Sequence, residues 1–277
     1  MTRSIKPVSA IPDRYGVVGH PVTHSLSPLI HRAFADATRQ SMSYDRYDVA
    51  PENFEYDVAA FFESGGRGLN VTVPHKERAA AWADELTTRA RQAGAVNTLV
   101  KLEDGRILGD NTDGAGLMAD LTRLGIEVNN RRLLILGAGG AARGILRPLQ
   151  ERRPAELVVA NRTTERARAL AGEQGCRYDE LGPFLDRGDF DLVIHATPLG
   201  LSGDIPAIDP RVIGPRTFAY DLGYGTPDTP FIRWAQQYGA AGVAQGLGML
   251  VEQAAESFRI WRGIAPNTAD VHRKILA

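Results

Sequence analysis

The sequence predicts an α/β protein of two α/β domains, with mainly parallel sheets and a cleft between the domains. Three observations lead there. Short apolar, β-branched runs alternate with amphipathic helical stretches along most of the 277 residues, as in strands joined by crossover helices. A Gly-rich turn in "LLILGAGGAARGIL" stands between a strand pattern and a helix pattern. A second strand–helix series then continues from it, so two units joined near residues 110–115 are expected.

Taken in order, the first dozen residues are polar and proline-marked and are expected to fray. "YGVVGHP" reads as a strand ending in a Gly/Pro turn. In "THSLSPLIHRAFADA", Ser27 suits an N-cap and Pro28 the first helical position, with Leu29, Ile30, Ala33 and Phe34 on the buried side. "SYDRYDVA" alternates as a strand does, and "PENFEYDVAAFFESG" reads as a helix stopped at Gly65-Gly66. "GLNVTV" is the next strand and "HKERAAAWADEL" the next helix. "GAGLMADLTRLG" predicts a helix capped by Asp113 and stopped at Gly125. In the second series, "AELVVANR", "DLVIHATPLG" and "TFAYDLGY" read as buried strands running into loops, and "LGMLVEQAAESFRIWRG" as a long amphipathic helix.

Composition sets limits on function. Apolar residues at 43% and charged residues at 23% are ordinary for a soluble globular protein. A formal charge of −1 leaves no basic field for nucleic acid or an anionic membrane. No stretch approaches the ~18 apolar residues of a membrane span, and "MTRSIKPVSAIPDRYG" lacks the apolar core of a signal peptide, so a cytoplasmic enzyme is expected. The lone Cys176 supports neither a disulfide framework nor a Cys-rich zinc site, and no metal is expected. Monomer and homodimer both remain open. Lysine occurs only at Lys6, Lys76, Lys101 and Lys274 among 32 basic side chains. Lysine, unlike arginine, can release its proton in a protein, which makes each of the four a candidate acid or base.

The Gly-rich turn places Gly137, Gly139 and Ala142 in a G-x-G-x-x-A pattern, with Ala138, Gly140 and Ala141 between them. Glycine permits the tight turn and close approach of backbone to a pyrophosphate, which the free N–H groups of the following helix attract. A Rossmann-type dinucleotide site is expected here, the alternative being a Gly-rich turn with no ligand. The strand after it ends in Asn161-Arg162-Thr163, with Arg166 beyond, where NAD-binding units usually carry an acid. Two guanidiniums, an amide and a hydroxyl suit a ribose 2′-phosphate, so the expected cofactor is NADP(H).

The chemistry must come from the first unit. Ser25 and Ser27 precede a helix whose N-terminal amides favour an anion. Lys76 occupies the first turn of a helix, where the macrodipole disfavours a cation by about 0.3–1 kcal/mol. Such local violations also mark functional sites. Asn70 and Thr72 share one side of the strand leading to Lys76. Asp113 of "NTDG" is either a helix cap or the carboxylate that holds Lys76 charged and aligned.

"VVGHPVTHSLSP", "NVTVPHKE", "GAVNTLV", "GDNTDG", "LGAGGAARGI", "NRT", "ATPLG", "YDLGY" and "GLGMLVEQAAESF" resemble, in order and over nearly the whole chain, the motif series of the shikimate dehydrogenase family. The resemblance implies a substrate domain built from both chain ends and an NADP domain between them. Its boundaries would be residues 1–112 for the substrate domain, 113–246 for the Rossmann domain and 247–277 for C-terminal helices returning to the first. The implied reaction is the reversible NADPH-dependent reduction of 3-dehydroshikimate to shikimate, in aromatic amino-acid biosynthesis. Carried over motif by motif, Ser25 and Ser27 would bind the substrate carboxylate, and Thr72, Asn97, Asp113 and Gln253 the ring hydroxyls, with Asn70 and Tyr224 nearby. Lys76 would donate and accept the proton, paired with Asp113. Gly137 through Ala141, Asn161, Arg162, Thr163, Arg166 and Thr197 would line NADP, with Leu222 and Gly246 beside the nicotinamide.

The chain departs from the family pattern at His195-Ala196-Thr197, where an asparagine is common in place of the histidine, and at Gly223, where an apolar residue is common. On its apolar strand His195 is expected to be a satisfied packing residue, and His75 a bystander. Rival readings have discriminating features. A short-chain dehydrogenase would need Tyr-x-x-x-Lys, and no tyrosine here has a lysine four residues on. A zinc dehydrogenase would need cysteines. A quinate/shikimate dehydrogenase using NAD would favour an acid at the Asn161-Arg162 position. A non-catalytic NADP-binding sensor would have no use for Lys76, Asp113 and Gln253 together.

Overall fold

The computed structural model describes residues 12–174, 176–180, 188–199, 203–225 and 228–275, and the chain forms two six-stranded sheets. The first holds β1 (Asp13–Gly19), β2 (Met42–Asp48), β3 (Gly66–Val71), β4 (Glu85–Leu86), β5 (Thr98–Lys101) and β6 (Ile107–Asp110), in the order β2-β1-β3-β5-β6-β4. β1 pairs in parallel with β2 and β3, across the helices α1 (Ser27–Thr38) and α2 (Phe54–Glu63). β5 and β6 are joined by a short turn at Gly105 and therefore run antiparallel. Helices α3 (Lys76–Trp82) and α4 (Thr88–Ala93) complete this half.

The second sheet is wholly parallel: β7 (Arg132–Leu136), β8 (Glu156–Asn161), β9 (Arg177–Glu180), β10 (Leu192–His195), β11 (Phe218–Asp221) and β12 (Gly242–Gln245), in the order β12-β11-β10-β7-β8-β9. Its central strands are continuous apolar runs; Leu133 to Leu136 are all fully buried, as expected where helices cover both faces. Helices α6 (Gly140–Glu151), α7 (Thr164–Gln174) and α8 (Pro230–Gln237) provide that cover. Strand order reverses between β7 and β10, and the crevice at such a switch point is where parallel α/β sheets bind ligands.

Helices α5 (Asp113–Arg123) and α9 (Leu247–Arg262) join the halves, and α10 (Ala269–Ile275) ends the described chain. Leu117 and Leu121 of α5 and Met249 of α9 enter the core of the second sheet with Ile135 and Leu146. Further along α9, Val251, Ala254 and Phe258 pack instead with Ile30 and Phe34 of α1. Close approach makes α5 and α9 a firm pair: a Cβ on Gly116 would lie 2.6 Å from Gln253 Cβ. No helix among the described residues is long and apolar enough to cross a membrane.

Four local expectations are corrected. Ser27 does not cap α1; it is the first helical residue, and its amide donates to Ser25 Oγ at 3.3 Å. Leu29 is 56% exposed, because Ser27, Ile30, His31 and Phe34 define the buried face. The third helix ends at Trp82 rather than running through "ADEL": Asp84 accepts the Ile107 N–H at 2.7 Å, and Glu85–Leu86 pairs with β6. Asp113 does not cap α5 either; it is the first helical residue, with its carboxylate committed elsewhere. Of the segment expected to fray, residues 1–11 lie outside the described residues.

Candidate active site

β3 ends at Val71, and the chain turns through Pro74 to place Lys76 at the head of α3. Its ammonium meets the carboxylate at the head of α5: Lys76 Nζ donates to Asp113 Oδ2 at 2.5 Å. Both side chains are withdrawn from bulk water, at 13% and 5% exposure. Asp113 Oδ1 accepts from Asn97 Nδ2 at 2.8 Å, so both carboxylate oxygens are fixed.

Helix α6, which follows the Gly-rich turn, presses its glycine face against this pair. A Cβ on Gly140 would fall 2.9 Å from Lys76 Cβ; one on Gly144 would fall 2.9 Å from Asn111 Oδ1 and 3.0 Å from Asp113 Oδ2. The Lys76–Asp113 pair thus lies directly behind the Gly-rich turn. No residue larger than glycine fits at either position without moving it.

Behind the pair is a densely hydrogen-bonded polar layer. Asn97 Oδ1 accepts from the Thr112 amide at 2.8 Å and its Nδ2 reaches Thr112 Oγ1 at 2.9 Å and Gln253 Oε1 at 3.2 Å. Asn70 is spent internally: its oxygen accepts from Tyr44 at 2.8 Å and lies 3.2 Å from His31 Nε2, while its nitrogen donates to Ser257 Oγ at 2.9 Å. Asn70 therefore braces the site from behind. Burial lowers the His31 pKa to about 3 and pushes the stacked Tyr44 hydroxyl well above its ordinary value, so both are neutral. Thr112, Thr98, Ser257, Tyr44 and His31 escaped the sequence reading. Their only signal was polar residues at positions that helical or strand periodicity assigns to the interior.

At the mouth, Ser25 Oγ donates to Ser27 Oγ at 3.1 Å, and Arg46 of β2 clamps the Ser25 carbonyl at 2.6 Å. Of the first amides of α1, Ser27 N–H is taken by Ser25 Oγ, Pro28 has none and Ile30 N–H is bonded to the Leu26 carbonyl, which leaves the Leu29 amide beside the two hydroxyls. The Thr72 hydroxyl makes no hydrogen bond within the described protein. Tyr224, from the loop after β11, hydrogen-bonds the backbone of Leu26 between the serines; burial raises its pKa. It bridges the second half of the chain to the first.

The residues expected to hold the cofactor gather at the C-terminal edge of the second sheet. Gly137 has φ +115°, and α6 begins at Gly140 with no side-chain cap, leaving its first amides for an anion. Ala138 is buried in the core below. β8 ends at Asn161, whose Nδ2 donates to the Thr163 carbonyl at 2.9 Å; Arg162 and Thr163 are exposed, and no acid occupies this strand end. Arg166 stands 3.8 Å from Glu77 of α3 in an exposed pair of little energetic weight. Gly246 and Leu222 lie backbone to backbone, a Cβ on the glycine falling 2.2 Å from the Leu222 carbonyl oxygen. This donor set fits a phosphorylated dinucleotide.

His195 is fully buried with both ring nitrogens partnered, by Asp221 and Thr197. His75 is also buried; burial lowers its pKa and its Nε2 lies 2.8 Å from the Val49 carbonyl, away from Lys76.

Residues 17–99 match the shikimate dehydrogenase substrate binding domain, residues 120–199 shikimate/quinate 5-dehydrogenase, and residues 246–276 the shikimate 5′-dehydrogenase C-terminal domain. The NADP(+) shikimate dehydrogenase of Aeromonas salmonicida is 51% identical over 270 residues, covering 95% of this chain and 97% of that protein. Among solved structures, the Ael1 enzyme of Pseudomonas putida is 44% identical with a TM-score of 0.86, over 95% of this chain and 98% of that one. The Thermus thermophilus shikimate 5-dehydrogenase in complex with NADP(H) and shikimate is 35% identical with a TM-score of 0.83, over 94% and 97%. With half its residues shared across almost its full length, and with those three segments falling in series along it, this chain belongs to the shikimate dehydrogenase family.

Proposed function

We propose that this chain catalyses the reversible, NADP-dependent interconversion of 3-dehydroshikimate and shikimate. The observation that carries the reading is the Lys76–Asp113 pair at 2.5 Å, enclosed between the polar layer of the first sheet and the glycine face of α6. The Ser25 and Ser27 hydroxyls, with the Leu29 amide, would take the substrate carboxylate. Thr72 offers an uncommitted hydroxyl, and Asn97, Asp113 and Gln253 would order the ring hydroxyls. Asn70 would act by holding Asn97 and Ser257 in place.

Gly137 to Ala141, Asn161, Arg162, Thr163 and Arg166 would hold NADP(H), with Thr197, Leu222 and Gly246 on its nicotinamide half. When bound there, NADPH supplies the hydride. As the substrate ketone accepts it, negative charge grows on the ketone oxygen, and the Lys76 ammonium stabilises and then protonates that oxygen. Asp113 keeps the ammonium aimed and Asn97 keeps Asp113 aimed. In the reverse direction the same amine takes the hydroxyl proton.

The domain limits 1–112, 113–246 and 247–277 suit this reading, since the core contacts of α5 fall in the second sheet and those of the later part of α9 fall with α1. Every named site residue comes from one chain, which accommodates a monomer or a homodimer. The test is a four-way assay of shikimate or quinate with NADP⁺ or NAD⁺, read as absorbance of the reduced cofactor. Signal with shikimate and NADP⁺ is expected. Signal confined to quinate with NAD⁺ would make this the quinate-using branch, and silence in all four would leave only cofactor binding.

A further inference from the structure

Two loops leave the C-terminal edge of the second sheet next to the dinucleotide turn. One follows β10 and carries Thr197; a Cβ on Gly137 would lie 3.0 Å from Thr197 Cγ2, so this loop touches the turn itself. The other follows β11 and carries Leu222 to Gly225. Gly223 and Gly225, both exposed, give that second loop unusual backbone freedom. Something must hold it.

β10 and β11 pair in register so that His195 lies opposite Asp221. The fully buried imidazole joins the loops: Nδ1 is 3.0 Å from Asp221 Oδ1, and Nε2 is 2.6 Å from Thr197 Oγ1. Asp221 Oδ1 also accepts the Gly223 amide at 2.9 Å, and Oδ2 accepts the Thr229 hydroxyl at 2.6 Å, while the oxygen of Thr229 caps α8. Phe231 stacks on the ring at 4.9 Å and fixes its plane. Donors and acceptors close with the ring proton on Nδ1. Thr197 then donates to Nε2 and accepts from the Leu199 amide at 3.4 Å. Both nitrogens are committed and the ring is sealed from the cleft, so His195 exchanges no proton with substrate.

We propose that His195 is a positioning residue for the nicotinamide half of the cofactor: it clasps the Thr197 loop to the Leu222–Gly223 loop and supplies the rigidity that Gly223 and Gly225 withhold. The inference rests on the reading that Thr197 and Leu222 line the nicotinamide. It concerns order in the free protein, which cofactor binding then need not impose.

The test uses His195→Asn, His195→Gln and His195→Leu in the whole chain. Asparagine places a donor nitrogen where Nδ1 stands and keeps the Asp221 arm; glutamine, with its amide oxygen turned to where Nε2 stands, offers an acceptor and keeps the Thr197 arm; leucine keeps neither. Each is titrated with NADP⁺ and with adenosine 2′,5′-bisphosphate, which probes the adenine half alone. Loss of both arms is expected to weaken NADP⁺ binding about tenfold or more, and loss of one arm by less, at roughly one modest hydrogen bond per arm. Adenosine 2′,5′-bisphosphate affinity is expected to stay unchanged. If the leucine variant does not fold, the two amide variants decide between them. Equal weakening of both ligands, or unchanged NADP⁺ affinity in every folded variant, overturns the proposal. Because the readout is binding, a wild-type protein that fails to oxidise shikimate would sink the functional reading and leave this comparison standing.

Discussion

Lys76 and Asp113 each open a helix, and their side chains meet at 2.5 Å although the residues are 37 positions apart. Neither carries out the local task its position suggests. The lysine opposes the macrodipole of α3, and the aspartate forgoes capping α5. Two such concessions converging on one part-buried contact are what stability alone would not select, and they support the proposed proton-transfer role.

Replacing Lys76 with alanine removes the proton donor and leaves the carboxylate and hydroxyl contacts of the pocket. Steady-state turnover should fall by at least about 10², the usual scale of general acid–base help, with KM for shikimate within a few-fold of wild type. A variant whose KM rose while its kcat held would instead mark Lys76 as a binding residue.

Gly144→Ala tests how closely the dinucleotide helix abuts the pair. The added Cβ would sit 3.0 Å from Asp113 Oδ2 and 2.9 Å from Asn111 Oδ1, one turn beyond the cofactor turn. We expect kcat to drop about tenfold or more while KM for NADP⁺ changes little, since small misplacements of catalytic groups are costly. Gly172→Ala in α7, where a Cβ would meet nothing within 4 Å, should raise stability by roughly 0.5–1 kcal/mol. Paired urea titrations and kinetics separate the two.

Arg162, exposed at the end of β8, is assigned to the 2′-phosphate. A charge-assisted hydrogen bond contributes about 1.5–3 kcal/mol, so Arg162→Ala should lower kcat/KM for NADP⁺ by roughly 10- to 100-fold and leave the NAD⁺ value nearly unchanged. Equal losses with both cofactors would show that Arg162 does not read the phosphate.

His31 gives a pH signature. Burial lowers its pKa from 6.5 to about 3, so the unfolded chain takes up a proton that the folded chain refuses. Its contribution to stability is complete above 6.5 and declines as pH falls from there toward about 3. Asp110 acts lower: burial opposes its charge, but Arg89 and Thr87 prevail and hold its pKa below 3.8, so its contribution is complete above 3.8 and is lost as pH falls from there through the lower folded value. Urea midpoints measured between neutral and mildly acid pH should therefore fall less steeply for His31→Phe than for wild type. The difference should be up to about 1.4 kcal/mol per pH unit. Parallel curves would mean that His31 is protonated in place.

Much of this was legible in the sequence because periodicity and turn chemistry act locally. The Gly-rich turn with its flanking strand and helix, the acid-free end of β8 and the cation at the head of α3 could each be read from a handful of adjacent residues. Helix ends were less legible. "ADEL" has helical character, yet Asp84 and the β4–β6 pairing capture it through partners more than twenty residues away. Ser27 and Asp113 have the right chemistry for caps, and the tertiary site claims them instead. The layer of Thr112, Ser257 and Asn70 joins three distant segments, and no local pattern announces a hydrogen bond such as Asn70 to Ser257.

The central claim is that one ammonium, held by one carboxylate, moves the proton that accompanies hydride transfer. Single-turnover formation of NADPH, measured with shikimate and NADP⁺ both saturating, addresses it directly in wild type and Lys76→Ala. The account predicts prompt NADPH formation in the wild type and a rate lower by at least about 10² in the variant. A variant that forms NADPH at the wild-type single-turnover rate would contradict it.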